Sequence, residues 1–469
     1  MLSRFIKRTY STQTSSPVVG IIGSGPAAFY TAHRLLRNDP NVKIDMFESR
    51  PVPFGLVRYG VAPDHPEVKH VEHKFSEIAE STQFRFLGNV NVGTDVSLRD
   101  LTKNYDCLVL AYGAAGDKRL GIPGEDLSGV YSAREVVGWY NSDPRNQNLE
   151  LDLSQVEDAV VIGHGNVSLD VARILLSNPA QLSPTDINPL FLKSLERSNL
   201  KRLHIVGRRN IFSVSFTIKE LRELFALSSA VFFAPSFNYS TKWMNETDAS
   251  GLDRPRKRLL KLLVSEIQKA VSEKRVAPYS KDKKCWNLEF GLTPVEILGH
   301  KGNVENVRFQ ITDSIRTDAE SKFTTIPAQL FIRSIGYKSM PLPGMKDVGV
   351  PFDDAKGIVK NVNGFVRPGI YTSGWVKHGP IGVIATTMMD AFATADTITK
   401  DWKSKKEFLK NSKLGWDGLK KNIKTPVIHW KDWKVIRNAE IERGLRHESL
   451  SEKFRSNEDM IKLIYPGKK

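Results

Sequence analysis

Short apolar runs, each followed by glycines and then by a stretch of helical period, recur along this chain. Val18-Val19-Gly20-Ile21-Ile22 leads through Gly23-Ser24-Gly25-Pro26-Ala27-Ala28 into Phe29–Leu36. Much later Val160-Val161-Ile162 leads through Gly163-His164-Gly165-Asn166-Val167-Ser168 into Leu169–Leu176. Continuous apolar strands of this kind suit a parallel sheet covered on both faces, and their alternation with helices predicts an α/β fold built from strand–helix–strand units. The next strands are Val42–Phe47, ending in Glu48, and Leu203–Gly207, ending in Arg208-Arg209. A polar helix is expected near His70–Ser81. Two further strands run into glycine, at Cys107–Tyr112 before Gly113 and at Leu330–Ile335 before Gly336. The pattern predicts two Rossmann-like nucleotide-binding domains, the second inserted in a discontinuous first. The first comprises residues 17–116 and 337–469, and the second residues 117–336. The first is completed by Val366–Trp375 and the glycine-rich Gly379–Ile384. The polar stretches Asn178–Asn188 and Ser236–Asp253 read as surface insertions, and the Lys- and Trp-rich chain after Asp401 as an extension packed on the first domain.

Glycines let such a turn close and let backbone N–H groups approach a pyrophosphate at a helix N-terminus, where the helix dipole favours negative charge. Gly23 and Gly25 serve the first turn, and Gly163 and Gly165 the second. Ala28 and Ser168 stand where a third glycine is usual, and both are small enough for close helix–strand packing. The ends of the next strands differ in sign. A carboxylate at Glu48 accepts from ribose hydroxyls and repels a 2′-phosphate. The guanidinium groups of Arg208 and Arg209 suit a 2′-phosphate through charge-assisted hydrogen bonds. The expected ligands are FAD at the first turn and NADPH at the second, the layout of a flavoprotein that takes hydride from NADPH.

Composition narrows the field. The chain of 469 residues carries a formal charge of +16 and two cysteines, Cys107 and Cys285. No C-x-x-C dithiol is present, which argues against an internal disulfide relay and against cysteine-ligated zinc or iron–sulfur sites. Cys107 lies in an apolar strand and reads as core. No apolar run approaches the roughly 20 residues of a membrane span. Residues 1–16 are Ser/Thr-rich with Arg4, Lys7 and Arg8 and no acid, the composition of a mitochondrial transit peptide. The densest basic cluster, Arg254, Arg256, Lys257 and Arg258, opens a helix whose dipole those cations oppose. It reads as a docking patch for an acidic protein in preference to a solvated face. No aromatic interleaving or known motif points to nucleic acid. His65, His70 and His73 lie near Asp64, Glu67 and Glu72, but His70 and His73 fall on a polar helix and no metal site is expected. His65, in a turn between Pro63 and Pro66, and Asp170, in the helix after the second turn, are candidate groups beside the reacting ring.

Several segments carry a closer resemblance. Pro53–Pro66, Gly163–Val167, Arg208-Arg209, Phe216–Leu224, Ser334–Lys338 and Ser373–Lys377 together resemble the mitochondrial NADPH–adrenodoxin (ferredoxin) oxidoreductases, from about Pro17 to Ala395. The resemblance implies a glutathione-reductase-like pair of nucleotide-binding domains. It implies electron transfer from NADPH through FAD, one electron at a time, to an acidic [2Fe–2S] ferredoxin that supports iron–sulfur cluster, haem A or steroid pathways. Carried over by position, Ala27, Glu48, Leu56, Val92, Trp375, Gly382, Val383 and Ile384 match the FAD site. Gly165, Asn166, Val167, Arg208, Arg209 and Glu220 match the NADP site, to which Gly163, His164 and Gly382 are also assigned. His164 stands where the family often has Gln. A matrix location, a monomer and peripheral contact with the inner membrane are the matching expectations. Two other readings share the turns: a reductase resembling glutamate-synthase electron-input subunits, which would need clusters or a cognate subunit, and a non-catalytic FAD-binding protein.

Overall fold

The apolar run Val18–Ile22 is buried along its whole length, as a strand covered on both faces must be. In the computed structural model, which describes residues 17–149, 151–235, 251–276, 283–312, 322–382, 384–404 and 413–467, it lies within a six-stranded sheet. The order is Phe365–Arg367, Ile370–Thr372, Cys107–Leu110, Val18–Ile22, Lys43–Glu48, Phe84–Gly88. All neighbours are parallel except Phe365–Arg367, which runs antiparallel to Ile370–Thr372. The helix Pro26–Asn38 starts with proline at a position that has no N–H to satisfy. It packs on the helix Ile384–Lys403, and Arg34 holds Asp396 through two bonds of 2.8 and 2.9 Å. Cys107 is buried in its strand, as expected.

The chain divides into two units by contact. The first comprises residues 1–55, 71–115 and 338–434, and the second residues 56–70, 116–337 and 435–469. Two segments, Leu56–His70 and Val435–Lys469, pack with the second unit, where the sequence pattern predicts residues 17–116 and 337–469 as one domain. The reason is charge that periodicity does not display. Arg58 and Lys69 in one segment, and Glu440 and Lys453 in the other, are buried in ion pairs within the second unit.

The second unit holds a six-stranded parallel sheet ordered Val130–Ser132, Leu330–Arg333, Asp158–Ile162, Arg202–Val206, Lys284–Glu289, Ala230–Phe232. An antiparallel ribbon of Leu292–His300, Asn303–Ile311 and Phe323–Pro327 belongs to it too. Its main core joins Val136, Tyr140, Leu169, Ile174, Phe191, Ile205, Leu288 and Ile332. The stretch Asn178–Asn188 is not the plain surface insertion expected of it: Asn178 caps a short helix Pro179–Leu182, and Asp186 and Asn188 are buried. Of Ser236–Asp253, residues 236–250 lie outside the described residues, as do residues 1–16, which carry the transit-peptide expectation, and Val383. The predicted polar helix is present as Pro66–Lys69 and Val71–Ala79.

Candidate functional site

Two strand ends open onto helix N-termini, one in each unit. In the first, Gly23 has φ +101°, and a Cβ there would stand 2.5 Å from the Ala111 carbonyl oxygen, so only glycine fits. Gly25 caps the helix Pro26–Asn38 without any side-chain bond to its free N–H groups, and a Cβ added to it would meet nothing within 4 Å. Unsatisfied donors facing open space are what a pyrophosphate requires. The Glu48 carboxylate ends the next strand beside this turn. It accepts from the Ser24 hydroxyl at 2.6 Å and the Ser24 N–H at 3.1 Å, with its other oxygen on the Arg50 N–H at 3.0 Å. The turn Pro53–Gly55 closes over the same point, with Phe54 (φ +81°) and Gly55 (φ +52°) both left-handed. The Phe54 N–H donates to the Ser24 carbonyl at 3.0 Å, while its ring is locked among Phe29, Phe75 and Trp433. Phe54, a non-glycine residue held in left-handed backbone, is a feature that the sequence pattern does not show.

Ala27 faces the other wall of this site. Gly374, at φ +71°, comes so close that a Cβ there would stand 2.4 Å from the Ala27 Cβ. Its N–H donates to Asp390 at 2.9 Å, and Asp390 also pairs with Lys377 at 2.5 Å. The short helix Trp375–His378 comes next, with Trp375 half-buried. Gly382 is exposed at φ +89° and Ile384 begins the long helix. Val92 is sealed in the core with Val90 and Val96. Leu56, assigned to the same cofactor, begins a helical turn that belongs to the second unit. The donors, the acceptor and the open cradle at Gly25 fit an adenine dinucleotide with a free ribose.

The second turn repeats the geometry. Gly163 has φ +124°, and a Cβ on it would stand 2.2 Å from the Ser334 carbonyl oxygen. Gly165 precedes the helix Asn166–Leu176, a Cβ on it would again meet open space, and its N–H is held by the Ser168 hydroxyl at 3.0 Å. The Asn166 side chain accepts from the Thr217 N–H at 2.8 Å and ties the turn to the helix Ile218–Phe225. Val167 is half-buried against the core. Glu220 accepts from the Thr217 hydroxyl at the start of that helix. Arg208 and Arg209 are exposed at the end of Arg202–Val206, with Arg209 reaching the Ser215 hydroxyl at 3.4 Å. One assignment needs correction. The His164 side chain, expected among the coenzyme contacts, is buried under the turn, with Nε2 3.2 Å from the Ile205 carbonyl oxygen and its ring on Phe290. Burial pushes its imidazole down to about 4. Its carbonyl accepts from the Ser215 and Phe216 N–H groups at 2.7 and 3.1 Å, so ring and carbonyl are both engaged within the protein.

Below this turn a charge cluster gathers around Arg173, one helical turn beyond Asp170. Its buried guanidinium holds Asp64 through two bonds of 2.6 and 2.9 Å, Asp170 at 2.7 Å, and lies 3.5 Å from Glu223. Glu223 in turn meets His65 Nε2 at 2.8 Å, and Lys219 reaches Glu67 at 3.2 Å. His65 and Asp170, both candidates from the sequence, are joined through Arg173 and Glu223, which stand between them. Burial pushes the Asp170 carboxyl up, against the pull of Arg173. Burial pushes Asp64 the same way, but its two bonds from Arg173 outweigh it and hold the carboxyl below its ordinary value. Arg173, Glu223 and Asp64 escape a reading of the sequence because nothing in helical period distinguishes a buried arginine from a surface one.

The basic cluster forms the first turn of the helix Arg254–Ser272. Arg254, Arg256, Lys257 and Arg258 are all exposed, and the Asp253 side chain caps the helix through the Arg256 N–H at 2.9 Å. Leu259, Leu263 and Ile267 bury the opposite stripe.

The fold and the two turns define a pyridine-nucleotide flavoprotein oxidoreductase. The family of pyridine nucleotide-disulphide oxidoreductases matches residues 17–211. The chain is 41% identical over 468 residues to the mitochondrial NADPH:adrenodoxin oxidoreductase of Salvelinus fontinalis, covering 97% of this chain and 92% of that one. With the Homo sapiens protein of the same name it shares 40%, over 97% and 93% of the two chains. The structure of Mycobacterium tuberculosis FprA in complex with NADPH superposes with a TM-score of 0.85 at 35% identity, over 96% of this chain and 99% of that one. The chain belongs to the NADPH:adrenodoxin oxidoreductase family.

Proposed function

We propose that this chain passes electrons from NADPH through FAD to a [2Fe–2S] ferredoxin in mitochondria. The observation that carries this reading is the pair of glycine turns that open onto helix N-termini and whose neighbouring strands end in opposite charge. Bound FAD supplies the chemistry that side chains lack, accepting hydride and giving up electrons singly. The residues supply orientation and electrostatics. Gly23, Gly25 and Ala27 admit the FAD pyrophosphate and Glu48 takes its ribose, with Leu56, Val92, Trp375, Gly382, Val383 and Ile384 around the remainder. Gly163, Gly165, Asn166 and Val167 seat the NADP pyrophosphate, and Arg208 and Arg209 with Glu220 select the 2′-phosphate. His65 and Asp170 serve the hydride step by fixing the nicotinamide and nearby protons. Arg254, Arg256, Lys257 and Arg258 receive the acidic ferredoxin. The reading extends to a monomer, and to a matrix location and peripheral contact with the inner membrane, which the composition of residues 1–16 and the basic balance support.

Anaerobic addition of NADPH to the purified, FAD-loaded protein tests this directly. The flavin absorbance should bleach, and cytochrome c should then be reduced only when ferredoxin is supplied. Bleaching without ferredoxin-dependent turnover would assign the chain to another electron acceptor. No bleaching would leave a non-catalytic nucleotide-binding protein.

A further inference from the structure

The segment Leu56–His70 carries His65, yet its secondary structure is slight: a helical turn at Leu56–Tyr59 and another at Pro66–Lys69. It is held in place by charge. At its start Arg58, 2% exposed, pairs with Glu440, 0% exposed, at 2.5 Å. Glu440 is fixed in turn by the Phe454 N–H at 3.0 Å. At its end Lys69 reaches both oxygens of Asp186, at 2.6 and 2.8 Å, and Lys453, 2% exposed, meets the second of them at 2.6 Å. Two lysines on one buried carboxylate hold its protonation well below the ordinary range despite burial. The chain after Val435 therefore contributes one buried carboxyl group and one buried amine, which burial pushes down to about 7, and each bears on an opposite end of the same short segment. Helix propensity cannot explain this arrangement, and a segment that served only as a connection would not need it.

We infer that Glu440 and Lys453 are positioning residues that clamp the two ends of Arg58–Lys69 and thereby fix His65 against Glu223 and the helix after the second nucleotide turn. This rests on the reading that His65 serves the hydride step. Neither residue touches coenzyme; they act through the segment. Loosening the clamp misplaces His65 and lowers the rate of hydride transfer while leaving NADPH binding nearly intact, because Arg208, Arg209 and the second turn are untouched.

The test uses the FAD-loaded protein with Glu440→Gln and, separately, Lys453→Met. The first keeps size and an acceptor for the Phe454 N–H. The second leaves Asp186 paired with Lys69, so one variant survives if the other fails to fold. Lys462→Met, at an exposed position on the same C-terminal stretch, is the control. Hydrogen exchange should quicken at the amides between Val61 and Val68 but not in Asp158–Ile162. Stopped-flow flavin reduction by NADPH should slow about tenfold or more, the scale on which sub-ångström misplacement acts, with the NADPH dissociation constant within about twofold. Unchanged exchange at Val61–Val68, or flavin reduction as fast as in the parent, overturns the clamp. His65→Gln separates the two readings. If His65→Gln leaves hydride transfer intact while both clamp variants loosen the segment and slow reduction, the clamp stands and the role of His65 falls. If His65→Gln slows reduction and the clamp variants do not, the clamp falls and His65 stands.

Discussion

The two glycine turns share backbone and differ in what surrounds them. Gly23 and Gly163 are both left-handed, each pressed against a carbonyl of the neighbouring strand's exit, and Gly25 and Gly165 both face open space at a helix N-terminus. Up to this point the turns are interchangeable. Beyond it, Glu48 is held rigid by Ser24 and the Arg50 N–H, whereas Arg208 and Arg209 stand exposed in solvent. On the proposed reading the fold creates a generic anion site, and the end of the next strand decides which nucleotide fills it. The duties differ accordingly. A pre-bonded carboxylate suits a cofactor that stays, and solvent-exposed guanidinium groups suit a coenzyme that comes and goes.

The largest effect of disrupting this contrast is expected at the first turn. Glu48→Arg removes an acceptor and its bonds to Ser24, so FAD affinity should fall by about 3 kcal/mol, on the order of a hundredfold. Flavin content after purification and FAD titration of the apoprotein measure it, and the second unit should remain folded. Next comes the second turn. Arg208→Ala with Arg209→Ala should lower kcat/KM for NADPH by about thirtyfold, roughly 2 kcal/mol after non-additivity, with much less effect on NADH. Equal losses with both coenzymes would remove the assignment.

His164 separates the two turns further, through pH. Its imidazole is neutral in the folded protein and depressed to about 4, so unfolding takes up a proton that folding excludes. Stability from this residue is present above the ordinary histidine range near 6.5 and is lost as pH falls toward 4. Between pH 7.5 and 5.5 the loss should be about 1.4 kcal/mol. His164→Gln should abolish that part of the pH dependence in urea unfolding of the holoprotein. The smallest effect belongs to the patch. Reversing two of Arg254, Arg256, Lys257 and Arg258 should raise the KM for ferredoxin by roughly threefold to tenfold at low salt and flatten its salt dependence, since exposed charges act over a Debye length of about 8 Å. Flavin reduction by NADPH should not change. Unaltered ferredoxin turnover at low ionic strength would make the patch a solvated face.

Much of the architecture is legible in the sequence. The two sheets follow from apolar runs such as Val18–Ile22 and Asp158–Ile162, whose strand length and glycine exits leave little choice of structure. Glycine, Glu48 and the arginine pair are legible as candidates because each sits at a fixed offset from a strand end. The clustered residues do not. Asp64, Arg173 and Glu223 come from three separate stretches of sequence and meet only in the folded chain, so no spacing links them. The placing of Val435–Lys469 escapes the pattern for the same reason: its helix Trp430–Leu445 lacks a clean apolar stripe, and its docking is fixed by Glu440 and Lys453 rather than by hydrophobic period. His164 misleads in the opposite way, because a side chain within a ligand-binding turn is easily credited with the ligand when it is in fact packing the floor.

That the strand ends choose the nucleotide is tested most directly by the fragments that carry the choice. Calorimetric titration of the FAD-loaded protein with 2′,5′-ADP and with 5′-AMP compares a 2′-phosphate with a free ribose and leaves the nicotinamide out. The 2′,5′-ADP should bind about tenfold or more tightly, through charge-assisted bonds to Arg208 and Arg209, and the preference should disappear in the Arg208→Ala, Arg209→Ala protein. Equal affinity for the two nucleotides in the parent protein, or a preference that survives the loss of both arginines, would refute selection by the strand ends.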